Sequence, residues 1–279
     1  MPRKFELSHI IAIAVILVAA LTLGSIWFGD SSESPLVLAP ANPPTATAAD
    51  PAGVTEFKQR SREIIEEYVS QHQVRKLQLG AGNARHDGWL NTDIEAGEGL
   101  AYLDASKPFP LADGSIHYIA SEHVIEHLSY EDGKVMLAES FRVLAPGGKV
   151  RVATPNLLRF IELFQKDPSE PARVFAEGKL AWHEWPKEPP SAAIILNLQL
   201  SSWGHKFTYD PETLEAALAR AGFTSIRQFE MSESDDPVLN GFEARTTGVN
   251  AATVRHETMV LQAVKPGVST STTRSSGPY

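Results

Sequence analysis

No cysteine occurs anywhere in the 279 residues. That absence excludes a disulfide framework, a thiolate zinc site and a cysteine nucleophile, while leaving the compartment open. Positive charge is also short, with 25 lysines and arginines against 34 aspartates and glutamates and a net charge of −9. A broad cationic face for a phosphate backbone is therefore not expected, and nucleic acid is not an expected partner. No internal repeat is visible. The composition is otherwise that of a globular chain, 43% hydrophobic and 21% charged.

Charge is missing altogether from Ile10 to Phe28 (IIAIAVILVAALTLGSIWF). As a helix this run would span roughly 28 Å, about the thickness of a bilayer's hydrocarbon core. A secretory signal has a shorter apolar region of about 7–15 residues. Trp27 and Phe28 close the run as interfacial aromatics do, which favours an uncleaved anchor over a cleaved signal. Arg3 and Lys4 precede it and Asp30 and Glu33 follow, so the positive-inside rule sends the rest of the chain to the non-cytosolic side. The expected organisation is a basic flank at 1–9, a membrane helix at 10–28 and a disordered linker at 29–53. The linker is rich in Ser, Pro, Ala and Thr, with Pro40, Pro43 and Pro44 close together. A folded domain at 54–265 and a polar tail at 266–279 complete it.

Inside the domain the periodicities alternate. Phe57, Ile64, Ile65 and Tyr68 share a helical face in Thr55–Gln71. Short strands are expected at Lys76–Leu79, Trp89–Asp93, Leu100–Asp104 and Ile116–Ala120. A helix over Tyr130–Leu144 is stopped by Pro146-Gly147-Gly148, which turns the chain into a strand at Lys149–Thr154. Asp210-Pro211 reads as the N-cap and N1 of a helix ended by Gly222, with two more strands at Thr224–Glu230 and Thr258–Val264. Strands alternating with helices specify an α/β fold, a Rossmann-like doubly wound, mostly parallel sheet.

Ligands of such sheets bind beyond the carboxyl ends of the strands. The first strand ends in Gly80-Ala81-Gly82-Asn83, where missing side chains allow close approach to the backbone. The second ends in Asp93, suited to a ribose diol, and the third in Asp104. Ser121-Glu122-His123 follows the fourth. Each residue alone reads as a cap or turn residue; their succession at strand ends reads as a site.

LQLGAGN, WLNTDI, LDASKPFPLADGSIHYIASEHVIEHL and ESFRVLAPGGKVRVATPN, in that order, resemble class I S-adenosylmethionine-dependent methyltransferases. The similarity is greatest to the small "type 11" group, often associated with surface polysaccharides, and covers about Lys76 to Lys265. The resemblance implies a seven-stranded sheet with a terminal antiparallel pair and S-adenosyl-L-methionine as cofactor. The Gly80–Asn83 turn would face its methionine portion, Asp93 its ribose and Asp104 its adenine, with Ser121 and His123 completing the cofactor residues. Most of the family has an acid where Gln78 stands and a cysteine where Ala81 stands. Only Gly80 to Gly88 separate the first two strands, so the first crossover helix is expected to be nearly absent, as in that subgroup.

His123-Val124-Ile125-Glu126-His127 also fits the H-x-x-E-H signature of inverted zinc proteases, and on a helix His123 and His127 would share a face. The glutamate such enzymes need downstream is missing from Leu196–Gly204 (LNLQLSSWG). Some methyltransferases place a Glu-x-x-Glu-His segment on magnesium with a later histidine, and His205 could be that group. Against metal stands a structural role, in which Glu126 and His127 open a helix, or an acceptor-site role. The sequence reading assigns no metal ligand and takes His127 and His205 as candidate catalytic bases. The insertion at 167–200 carries Trp182, His183 and Trp185 in a proline-rich setting and is expected to lid an acceptor pocket. The expected activity is methyl transfer to oxygen or nitrogen of a small or glycan-like acceptor. Its alternative is a non-catalytic, membrane-anchored binding or scaffold protein of the same fold.

Overall fold

The computed structural model describes residues 52–95, 97–182, 191–245 and 251–267. The expected flank at 1–9, anchor at 10–28, the linker at 29–53 except its last two residues, the tail beyond 267, His183 and Trp185 lie outside the described residues. Among the described residues no helix is long and apolar enough to cross a membrane.

Helix α1 (Ala52–Gln71) leads into β1 (Lys76–Leu79), β2 (Leu90–Asp93), β3 (Ala101–Tyr102) and β4 (Ile116–Glu122). Then come α2 (Tyr130–Val143), β5 (Leu144–Pro155), α3 (Leu157–Glu162), α4 (Glu170–Trp182) and α5 (Ala192–Ser201). Helix α6 (Pro211–Arg220), β6 (Thr224–Phe229), α7 (Ala251–Glu257) and β7 (Thr258–Val264) complete the order. The seven strands form one sheet in the order β3-β2-β1-β4-β5-β7-β6. β1 to β5 run parallel to their neighbours, whereas β7 is antiparallel to both β5 and β6. This is the expected sheet with its terminal antiparallel pair. Strand order reverses between β1 and β4, so the ligand crevice belongs at their carboxyl ends.

Local chemistry sets the helix ends. Ser129 caps α2 by accepting from the Asp132 N–H at 3.1 Å, and Asp210 caps α6 by accepting from Thr213 at 2.7 Å, with Pro211 in the first turn. Several boundaries differ from expectation, and β3 is cut to Ala101–Tyr102 where Leu100–Asp104 was expected, leaving Asp104 beyond it. β4 continues through Ser121 and Glu122, which pair with Val152 and Ala153 of β5. β5 begins at Leu144 and takes in Pro146-Gly147-Gly148 as an irregularity, because Gly147 N–H and Gly148 C=O both bond Lys265. The described part of the insertion supplies α4 and α5, and the short α3 and α7 carry no strong sequence periodicity.

Strand alternation gives the sheet two different coats. Leu77, Leu79, Ile119, Val150, Val152 and Leu261 point to one face, where Ile65, Met136, Leu137, Leu214 and Leu218 of the flanking helices bury them. On the other face a first crossover helix would ordinarily lie over β1, but residues 80–89 contain none. The segment 231–245 between β6 and β7 lies there instead. Leu239 and Phe242 bury Trp89 and Ala120, and His86 stacks on Phe242 with ring centroids 4.1 Å apart. Arg151 of β5, fully buried, fastens this strap. Its guanidinium holds Glu243 through two bonds of 2.6 Å and also donates to Gln262 and to the Glu233 carbonyl. Lys149, one alternation away, pairs with Asp236 at 2.7 Å.

Breaking one side of a buried ion pair strands the other charge, which costs about 3–5 kcal/mol. Glu243→Gln is expected to lose that much stability in denaturant titration of the full chain. Arg151→Met with Glu243→Leu is expected to recover at least half of the loss. A Glu243→Gln loss below 1 kcal/mol would contradict the strap's dependence on this pair.

Candidate functional site

Two cavities open at the carboxyl ends of the strands and share a wall. The first, about 650 Å³, is lined by Gly80, Asp93, Asp104, His123, Val124 and His127, with Ile94, Leu103 and Leu128 among its apolar surfaces. The second, about 420 Å³, is lined by Glu122, Glu126, Lys179, Gln199, His205 and Glu257, among others. His123, His127 and Trp203 line both.

In the first cavity Asp93 Oδ2 accepts the Gly82 N–H at 2.8 Å and its Oδ1 accepts Glu95 N–H at 3.0 Å. The carboxylate thus ties the glycine turn to the end of β2 while facing the cleft. Asp104 Oδ1 accepts both the backbone N–H and the hydroxyl of Ser106, at 2.9 and 2.7 Å. Asp93, Glu95, Asp104 and Asp132 oppose Lys206, a lining that suits a cationic ligand bearing hydroxyls and an apolar ring.

The turn itself corrects one expectation. Gly80 has φ +63°, and a Cβ there would overlap Val124 Cγ2, so protein fills the space its missing side chain leaves. Gly80 reaches the cleft through its backbone. Ala81 is buried, its N–H donated to Thr92 O, and Gly82 and Asn83 are exposed outside the lining. Ser121 is corrected too: it is 1% exposed inside the sheet and its hydroxyl has no partner among the described residues, because β4 runs two residues further than expected.

The His123–His127 segment is not the helical face expected. His123 sits at φ +53° and only Ile125–His127 form a 3₁₀ turn, with α2 starting later at Tyr130. Both ring nitrogens of His123 are occupied, Nδ1 by Glu126 Oε1 at 2.9 Å and Nε2 by the Thr258 hydroxyl at 3.0 Å. Glu126 Oε2 accepts the Thr154 hydroxyl at 3.0 Å. The Glu126 carbonyl in turn accepts the N–H groups of Lys206 and Phe207, fixing the loop that carries His205. Gly204 at φ +79° lets that loop turn beneath His127. The rings of His127 and His205 then meet edge to face at 4.9 Å. His205 Nδ1 lies 2.7 Å from Gln199 O, so Nδ1 carries the proton and Nε2 the lone pair. Burial holds His205 below its usual pKa.

Sequence reasoning missed Lys179, Gln199, Thr154, Thr258 and Glu257. Lys179 and Glu257 form a buried pair at 2.6 Å, and Lys179 Nζ sits 4.6 Å from the Trp203 ring centroid. Burial pushes the Glu257 carboxyl up, against the pull of Lys179. Their separation in the chain leaves no spacing to read. Trp182 belongs to α4 by its backbone.

Residues 77–152, from β1 into β5, match a family model described as a methyltransferase domain, and the sheet around them has the doubly wound order with β7 reversed. Residues 77–152 are those of a methyltransferase domain, and the sheet that carries them is of the class I S-adenosylmethionine-dependent type. Solved structures similar to this methyltransferase include an S-adenosylmethionine-dependent methyltransferase from Mesorhizobium loti, at 16% identity and TM-score 0.43 over 74% of this chain and 96% of the other. One from Archaeoglobus fulgidus has 16% identity and TM-score 0.41 over 76% and 94%. Haemonchus contortus phosphoethanolamine N-methyltransferase 2, solved with S-adenosyl-L-methionine, has 16% identity and TM-score 0.37 over 75% of this chain and 52% of its own. This chain thus spans about half the length of that last protein. No curated protein sequence matches it. The cofactor of the methyltransferase is S-adenosylmethionine, and the first cavity, with its strand-end carboxylates and apolar walls, fits it.

The His123–Glu126 contact has a pH signature. Burial would lower the imidazole, but the hydrogen bond and charge of Glu126, with Glu257 and Glu122 nearby, hold it above the usual 6.5. Burial would raise the Glu126 carboxyl, but its bond to His123 holds it below the usual 4.5. The histidine contribution is full below 6.5 and fades as pH rises through its elevated folded value. The glutamate contribution is full above 4.5 and fades as pH falls through its depressed one. The stability difference between wild type and His123→Gln is therefore expected to peak between 4.5 and 6.5. Chemical denaturation across that range and on both sides of it measures this, and a pH-independent difference would contradict it.

Proposed function

We propose that this methyltransferase modifies an oxygen or nitrogen of a small, glycan-like acceptor held in the second cavity. The observation that carries the reading is the shared wall: His123, His127 and Trp203 face both cavities. S-adenosylmethionine supplies an electrophilic methyl group when bound. The chain's own contribution is placement, since orienting two reactants removes much of the barrier. Asp93 and Asp104 hold the cofactor side. Trp203 offers a flat apolar surface, while Gln199, Glu122 and the Lys179–Glu257 pair offer polar partners, a combination that suits a sugar. His127 and His205 stand on the acceptor side, where the acceptor's proton has to be taken or displaced.

Calorimetry of the full chain in detergent with S-adenosylhomocysteine tests the cofactor side. Asp93→Ala and Asp104→Ala are each expected to weaken binding by about 1.5–3 kcal/mol, the range for hydrogen bonds to charged groups. Unchanged affinity in both variants would remove these aspartates from the site.

The apolar run at 10–28 supports a further part of the reading, a single-pass anchor with the catalytic domain on the non-cytosolic side. A C-terminal tag on the full chain is expected to resist protease in sealed inverted vesicles and to be digested from the outer face of spheroplasts. A tag digested in the inverted vesicles would place the domain with the cytosolic pool of S-adenosylmethionine and overturn this orientation.

A further inference from the structure

We infer that Glu126, His127 and His205 form a binding site for a divalent transition-metal ion of the zinc class, at the floor of the acceptor cavity. One ligating atom from each residue lies within 4.8 Å of the other two. All three line the second cavity, and His127 also lines the first.

The donor set favours a transition metal. Two imidazoles and one carboxylate are the ligands of catalytic zinc and of facial-triad sites, which keep one or more positions open, whereas magnesium prefers oxygen alone. The surroundings are those of ligands already oriented. His205 commits Nδ1 to the Gln199 carbonyl at 2.7 Å, leaving Nε2 unprotonated, and a backbone carbonyl is a common outer partner of metal-bound histidine. Glu126 is fully buried and oriented by His123 and the Thr154 hydroxyl, yet each of its oxygens retains a second lone pair. The backbone bonds from Lys206 and Phe207 to the Glu126 carbonyl hold the two contributing segments in register.

A second observation points to a ligand in the same cavity. Gln199 is 1% exposed, lines the cavity and, among the described residues, has no partner for either Oε1 or Nε2. A buried amide without partners is costly, and a polar molecule bound beside it would satisfy both atoms. Zinc–ligand bonds of about 2.0–2.2 Å put ligand atoms roughly 3.5 Å apart, so binding draws the three side chains inward by about 1 Å. The open positions then face the acceptor cavity, where an acceptor oxygen or a water could take one. With the ion bound, His127 and His205 act as ligands, and the proton-accepting position given them above applies to the ion-free site.

The inference takes the acceptor cavity from the methyl-transfer reading, but its test measures the ion alone. Untagged full chain is stripped with chelator, dialysed and titrated with Zn²⁺ and separately with Mg²⁺, followed by elemental analysis. One Zn²⁺ per chain is expected, with Mg²⁺ at least 100-fold weaker. His127→Ala and His205→Ala are each expected to weaken zinc at least 100-fold, while His72→Ala, just after α1 and outside the lining of both cavities, leaves it unchanged. Near-ultraviolet dichroism confirms that each variant folds, and S-adenosylhomocysteine binding to the stripped protein is read separately. Stripped, folded wild type that takes up no zinc would overturn the site. So would zinc bound equally by the His127→Ala/His205→Ala double variant. Zinc uptake without S-adenosylhomocysteine binding would retain the ion site and reject the cofactor reading.

Discussion

The buried contact between Arg151 and Glu243 decides how this sheet can exist with so short a first crossover. A βαβ unit normally covers the strand pair with its own helix. Here β1 and β2 are joined by ten residues without one, and their second face would stand open to water. The strap at 231–245 covers it, and the strap has little apolar surface with which to hold itself down. Leu239 and Phe242 supply that surface. The two-pronged bond from β5 fixes the direction of approach, and the Ser232 N–H adds a third contact to Glu243 at 2.8 Å. A charged pair of this kind contributes less to net stability than to specifying one arrangement, since a well-packed apolar pair could replace its energy but not its geometry.

The covering strap explains why the sequence was legible in one place and opaque in another. Lys149–Thr154 reads as a strand behind the Pro146-Gly147-Gly148 turn, with polar Lys149 and Arg151 alternating with Val150 and Val152. The strand is there, but its polar side is buried, and nothing local to it announces a partner 92 residues away. By contrast, the parallel sheet, the cap at Asp210 and Asp93 at the end of β2 follow from short-range patterns, so they are found where expected. Glycine reading was half successful. Gly80 does need a left-handed backbone, but the neighbour that demands its missing side chain is Val124 and not a ligand.

The histidine segment shows the same division. The H-x-x-E-H segment brought His127 forward and the methyltransferase resemblance brought His205, and the structure sets their rings together. Helical spacing also paired His123 with His127, and that pairing fails because a left-handed residue at 123 breaks the helix before it starts. His123 turns away to Glu126 and Thr258 and becomes the support for a ligand-type residue. Lys179 and Glu257 were beyond reach altogether, since an insertion helix and the residue before β7 meet only in three dimensions.

Backbone strain marks the same place independently. Four residues other than glycine have positive φ, among the described residues: His123, Trp203, Ser225 and Ser232. A bulky residue in that region costs on the order of 1–3 kcal/mol and persists only where its surroundings overdetermine it. His123 and Trp203 are two of the three residues that face both cavities, and they sit on separate segments fastened to each other through the Glu126 carbonyl. Strain held at both sides of one narrow wall is hard to attribute to packing alone, because an ordinary residue at either point would relax it. The strained backbone aims His123 at Glu126 and sets Trp203 over Lys179. The wall between the two cavities is thereby stiffened from both directions, and the distance across it is set by the fold.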